Sequence, residues 1–349
     1  IVSRDWSSDV CSSDLNSNVT DRNSIVAGVG GTLEMRNGLK LGLDYQIMRS
    51  FAQETSQGVR VTLEKELDGK RSFASLLPNL DSSRPALGIR LDGGYMYDRN
   101  VSRGRDSGEK FSDQSYTLEA NKGWIFPLTE HTRAVVGLTG GAEKFHNYEG
   151  LSRLYATFRG EVQYRSTGSF GAPTYALFVR ATGEAFESYL RDGYRTAFGF
   201  SVLKPVTDRI TVFGAVTHTD REANSAVFTN HDNSFRLNVD YAVNANSTLY
   251  LTGEYRRGDA VSSGLPSLQS LDIAKVFARD DAFNDQLFAY RFEARSFITT
   301  LGYNLPFGSR DALDFSFRHV YSVSTDASVV YGKSRYYTDR KSTRLNSSH

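Results

Sequence analysis

Between residues 151 and 165 apolar and polar side chains alternate strictly, and this period of two constrains the fold more than any other feature of the chain. Leu154, Ala156, Phe158, Gly160, Val162 and Tyr164 fall on one face, and Tyr155, Thr157, Arg159, Glu161, Gln163 and Arg165 on the other. Successive side chains of a strand point to opposite sides, so this segment separates an apolar phase from a wet one along its whole length.

The same period recurs along the chain. Leu39, Leu41, Leu43, Tyr45 and Ile47 alternate with Lys40, Gly42, Asp44 and Gln46, and Leu87, Ile89, Leu91, Gly93 and Tyr95 with Gly88, Arg90, Asp92 and Gly94. Tyr175, Leu177, Val179 and Ala181 oppose Arg180, Thr182 and Glu184; Phe235, Leu237, Val239 and Tyr241 oppose Arg236, Asn238 and Asp240. Leu249, Leu251, Gly253 and Tyr255 oppose Tyr250, Thr252, Glu254 and Arg256. Phe288, Tyr290, Phe292 and Ala294 oppose Arg291, Glu293 and Arg295, and Leu313, Phe315 and Phe317 oppose Asp314, Ser316 and Arg318. No stretch of helical period matches these in strength, which makes the chain all-β.

The two ends follow neither period. The opening IVSRDWSSDVCSSDL and the closing RKSTRLNSSH closely resemble the conceptual translation of sequencing-library adapter DNA. Residues 1–15 and 341–349 are therefore read as adapter-like, and 16–340 as a single barrel domain cut at both ends. Cys11, the only cysteine, lies in the first of these stretches, so the body uses neither disulfide nor thiol chemistry.

Composition narrows the classes. No run of ~20 apolar residues occurs, which excludes helical membrane spans. Alternation lets a chain with mean hydropathy −0.41 still present a continuous greasy surface. A net charge of +1, from 41 Lys and Arg against 40 Asp and Glu, argues against nucleic acid as a partner.

Alternation alone leaves a soluble sandwich open, and strand length decides against it. Soluble strands average about 5 to 6 residues, whereas a tilted membrane strand needs about 9 to 11. The expected strands are 24–35, 38–49, 57–67, 86–98, 113–126, 132–145, 151–165, 174–188, 193–204, 208–219, 234–243, 247–258, 286–304, 311–323 and 328–339. Tight turns recur at residues 36–38, 127–131, 205–208, 244–247 and 306–310, with longer polar connections near 99–112, 219–233 and 259–285. Short turns at one end and long loops at the other are the pattern of a transmembrane antiparallel up-and-down β-barrel. An even count then calls for one more strand before the first, giving about sixteen when intact, with fourteen to eighteen allowed. Residues 68–85 depart from the scheme as a long connection at the short-turn end. A closed sheet of that size has a bore too wide for side chains to fill, so the apolar faces look outward.

On this pattern residues 24–339 resemble a Gram-negative outer-membrane β-barrel protein, porin-like with the subfamily unresolved. General porins, polysaccharide-export barrels and barrels following a periplasmic helical-repeat domain all remain open. The resemblance implies the bacterial outer membrane as location. It implies the lipid bilayer, lipopolysaccharide and the barrel-insertion machinery as partners.

The polar faces are the candidate site, as pore-lining positions: Lys40, Asp44, Arg60, Glu64, Arg90, Asp92, Arg159, Glu161, Arg180, Glu184, Arg236, Asp240, Glu254, Arg256, Arg291, Glu293, Arg295, Asp314 and Arg318. Charged groups in a wide aqueous bore set solute preference through their local field, and a lining of both signs implies small polar solutes with weak charge selectivity. Any one of these residues could instead pair across the sheet and merely stiffen the wall. The competing functions are an export or assembly barrel attached to a periplasmic domain, and a non-conducting structural or surface-binding barrel.

No enzyme is expected. His319 beside Asp314 and Ser316 has the residue types of a hydrolase site, but alternation puts it on the opposite face from both, and no histidine has an evident orienting partner. Asp280, Asp281, Asn284 and Asp285 match no EF-hand spacing and read as a solvated acidic loop. Gly28, Gly30 and Gly31 lack the Gly-Lys-Ser/Thr of a phosphate loop and read as strand glycines that ease curvature. No cofactor or metal signature is present in the sequence.

Overall fold

Long alternating segments of this kind leave backbone donors and acceptors along both strand edges, and only closure of the sheet pairs them all in an apolar medium. The computed structural model describes residues 22–35, 38–50, 55–67, 88–102, 111–244, 247–266, 274–283, 287–307 and 311–325. The strand expected at 328–339, both adapter-like ends and the connection 68–85 lie outside the described residues.

Among the described residues fifteen strands form one antiparallel sheet. They are β1 Arg22–Glu34, β2 Leu39–Ser50, β3 Thr55–Glu66, β4 Gly88–Asp98, β5 Asp113–Pro127, β6 Thr132–Phe145, β7 Arg153–Arg165, β8 Thr174–Phe186, β9 Gly193–Pro205, β10 Ile210–Ala223, β11 Asn230–Ala242, β12 Thr248–Gly264, β13 Val276–Arg279, β14 Phe288–Phe307 and β15 Asp311–Ser324. Each strand pairs with its sequence neighbour except around β13. There β12 pairs directly with β14, and β1 pairs with β15, closing a ring of fourteen strands. The expected strands before β1 and at 328–339 are therefore not needed for closure. The short β13, which the sequence reading did not anticipate, adds to β14 above the end of β15, opposite Phe288–Arg291.

The faces of the barrel are inverted relative to a soluble protein. Along β7, Leu154 is 64% exposed while Arg159 and Glu161 are 6% and 4% exposed. Leu118 and Leu177, on neighbouring walls, are 65% and 64% exposed. The apolar face looks out and the charged face looks in, so hydrocarbon is the medium that makes this arrangement favourable.

Aromatic residues bound the apolar band at both ends. Near the tight turns Tyr164 and Tyr175 stand directly opposite each other, and the Tyr175 ring stacks on Phe200 at 6.2 Å. At the other end Tyr255, Phe297 and Tyr321 run across three adjacent strands, with centroids 4.9 and 6.2 Å apart. On β5 the outward Tyr116 and Phe126 mark both levels. Ten residues at ~3.3 Å per residue, tilted by ~40°, span about 25 Å, which is the height of a membrane barrel's apolar band.

One packing detail carries a prediction. Tyr250 on β12 lies across Gly302 on β14, its paired position, and donates its hydroxyl to Asp314 Oδ1 at 3.2 Å. A Cβ at Gly302 would land on the Tyr250 ring. Gly302→Val should therefore displace the tyrosine and cost about 1–3 kcal/mol of barrel stability, measured by urea unfolding in vesicles, whereas an unchanged midpoint would show that the ring has room to move.

Candidate functional site

Alternation carries the polar face of each strand into the barrel, where the side chains meet across neighbouring strands. They surround a cavity of about 440 Å³ lined from β3 round to β12. Of the expected lining, Arg60, Arg90, Arg159, Glu161, Arg180, Glu184, Arg236, Glu254 and Arg256 border this cavity. Lys40, Asp44, Glu64, Asp92, Asp240, Asp314 and Arg318 occupy the same inward parity, outside that cavity.

Three expected positions do not join the interior. Arg291, Glu293 and Arg295 share the parity of Phe297 and Leu301, which are 47% and 46% exposed on the outer face. The physical reason is that β12 and β14 continue beyond the apolar band, where water lies outside the wall. There the inward face turns apolar, with Tyr290, Phe292 and Ala294 packing on Ala260, while Val261 and Ala289 of the outward parity lie under Val227 and Phe228 of the β10–β11 connection. The apolar-polar pattern inverts along one continuous strand. Arg291 Nη1 donates to the Thr229 carbonyl, and Glu293 Oε1 lies 3.4 Å from Arg257 on the outer rim.

The interior charges form hubs. Glu184 Oε1 receives Arg153 Nη1 at 2.8 Å and Arg195 Nη2 at 2.9 Å, while Arg221 Nη2 lies 3.5 Å from Oε2. Arg153 also reaches Glu143 at 3.1 Å. Glu254 receives Arg236 at 2.9 Å and Arg256 at 2.8 Å; Glu161 receives Arg159 at 3.1 Å and Gln163 at 2.5 Å. On the facing wall the pairs are Arg90 with Asp92 at 2.9 Å and Lys40 with Glu64 at 3.4 Å.

The register also sets arginines against each other, Arg159 opposite Arg180 and Arg195 opposite Arg221. Like charges directly across a sheet are unfavourable; Glu184 bridges Arg195 and Arg221, and Glu161 takes Arg159. The wall from β7 to β10 is accordingly rich in arginine. The wall of β15 and β1 to β5 carries Glu34, Asp44, Glu64, Asp92, Glu119 and Asp314 among fewer cations.

Several members of this array were missed from sequence. Arg153 was left out of the polar face of its own strand. Arg195 could have been found, since Tyr194, Phe198 and Phe200 mark the opposite parity. Arg221 lies beyond the expected end of its strand at 219, because β10 runs on to Ala223.

Two readings are corrected, one on a loop and one on a strand. Asp280 is not solvated: it is fully buried and accepts both bonds of Arg191 Nη2, at 2.7 and 2.8 Å, and the Ser263 hydroxyl at 2.5 Å. Asn284 and Asp285 lie outside the described residues. His218 does have orienting partners, Asp220 Oδ2 and Asn233 Oδ1, each at 2.9 Å, on the outer face beside Phe198. Among the described residues no group of three or more His, Cys, Asp or Glu is placed to hold a metal ion.

No protein-family model matches the chain, and no curated protein matches it. Among solved structures it is similar to the KdgM porin, at 8% identity over 86% of this chain and 98% of that one, with a TM-score of 0.33. It is also similar to an anion-selective porin from Comamonas acidovorans (10% identity, 87% and 100% covered, TM-score 0.33). OmpT of Vibrio cholerae matches at 9% identity, with 88% and 99% covered and a TM-score of 0.35.

Proposed function

We propose that this chain is a bacterial outer-membrane barrel whose interior admits small polar solutes with weak charge selectivity. The observation that carries the reading is the inversion of its faces: leucine and phenylalanine exposed outside, arginine and glutamate buried inside around a polar cavity. Weak selectivity follows from the interior pairing, because each basic cluster is held by acidic hubs and the facing walls offset one another. Lipid and lipopolysaccharide would meet the apolar band, and the barrel-insertion machinery would deliver the chain to the membrane.

Purified protein added to a planar bilayer should give stepwise conductance, with a reversal potential close to zero in a KCl gradient. A steep reversal potential of either sign would contradict the weak selectivity. A folded barrel that never conducts under any treatment would contradict the pore.

A further inference from the structure

The connection between β12 and β14 starts and ends on adjacent strands, yet its contacts run from the neighbouring β10–β11 connection to the far side of the barrel. Val276 and Ala278 of β13 pack on Val227 and Phe228, which belong to the connection between β10 and β11. Ala282, Phe283 and Leu287 pack against Val101 and Phe111, from the β4–β5 connection, and Tyr148 and Leu151, from the β6–β7 connection. In a ring of fourteen, β5 stands seven positions from β12. These contacts can be made only across the mouth.

The crossing is fastened by buried chemistry. Asp280 takes Arg191 from the β8–β9 connection, and the Arg191 guanidinium also lies 4.1 Å from the Phe228 ring centroid. Ser188 of the same connection donates to Asp281 at 2.5 Å. Phe283 joins Phe111 and Tyr148 in a three-ring cluster, stacked on Phe111 at 6.0 Å and tilted against Tyr148 at 5.4 Å. Gly150 comes so close that a Cβ there would stand 2.7 Å from Ala282 Cα.

We propose that residues 274–283, together with Leu287, are a strap closing this mouth, latched by the Asp280–Arg191 pair, and that solutes pass when the strap lifts. The strap is amphipathic in the required sense. Val276, Ala278, Asp280 and Ala282 form its more buried side, packed on the neighbouring connections, while Lys275, Phe277, Arg279 and Asp281 are exposed. A buried ion pair makes a suitable catch because removing one partner leaves the other charged and dry, so the latched state either has both contacts or opens. This proposal rests on the pore reading.

The test is single-channel recording on four proteins, each first shown to be folded by its heat-modifiable mobility on gels. Wild type should be closed most of the time. Asp280→Asn removes the catch, and Gly150→Val wedges Ala282 away without touching the ion pair. Each should raise the open-to-closed ratio on the order of a hundredfold. Replacing residues 274–283 with a Gly-Ser linker should give a permanently open channel. Wild type as open as the linker variant would overturn the strap and leave the pore standing. Silence of the folded linker variant would overturn the pore, and the strap with it.

Discussion

Glu184→Gln should destabilise the barrel by about 3 kcal/mol, because three buried or half-buried guanidiniums share that one carboxylate. The carboxylate is 2% exposed, whereas the arginines are 19–25% exposed and so are only partly desolvated. That exposure puts the cost at the lower end of the range for breaking a buried pair. Glutamine preserves shape and one acceptor oxygen but leaves Arg153, Arg195 and Arg221 with uncompensated charge. Urea unfolding of the vesicle-embedded barrel measures the loss, and the reversal potential of the same variant should move toward anion preference. Arg221→Gln, at the longest of the three contacts, should cost much less. A Glu184→Gln barrel within about 0.5 kcal/mol of wild type would show that water inside the cavity, not Glu184, balances these cations.

Val179→Arg should cost about 2–4 kcal/mol, the penalty for a cation at the midplane of a lipid-facing strand. Val179 lies near the centre of β8, 44% exposed, with Phe198 and Gly160 as its paired neighbours. On the water-facing surface of a soluble sheet the same change falls within about 0.5 kcal/mol of neutral. The two media therefore predict different results for one substitution. Equilibrium unfolding from lipid vesicles gives the number, and Phe277→Arg, at an exposed position of β13 beyond the apolar band, should be near neutral. A neutral Val179→Arg would mean that this face is not in hydrocarbon.

The architecture was legible because a membrane wall imposes one rule at every position of a long strand. With two-residue alternation over ten or more residues, parity alone placed Arg159, Glu161, Arg180, Glu184, Arg236 and Glu254 on the inside. The rule weakens where the surroundings change. On β14 the medium outside the wall turns from lipid to water above Phe297, so the greasy parity at Tyr290 and Phe292 moved inward and carried Arg291, Glu293 and Arg295 out.

Contacts between connections were beyond reach for a different reason. Asp280 looks like a solvated loop acid in sequence, and what buries it is Arg191, eighty-nine residues away on another connection. Nothing local marks that pairing. The short β13 was missed likewise, since four residues on the rim of β14 carry too little alternation to stand out.

The central claim is that hydrocarbon bathes the outside of this cylinder and water its inside. Nitroxide labels placed one at a time on residues 154–165, in a Cys11→Ser background in lipid vesicles, test it directly by collision with oxygen and with a water-soluble nickel chelate. Oxygen access should peak at 154, 156, 158, 160, 162 and 164, with these positions closed to nickel, and the odd-numbered positions should show the reverse wherever the label meets cavity water. Nickel reaching the even positions as readily as oxygen would place that face in water and contradict the account.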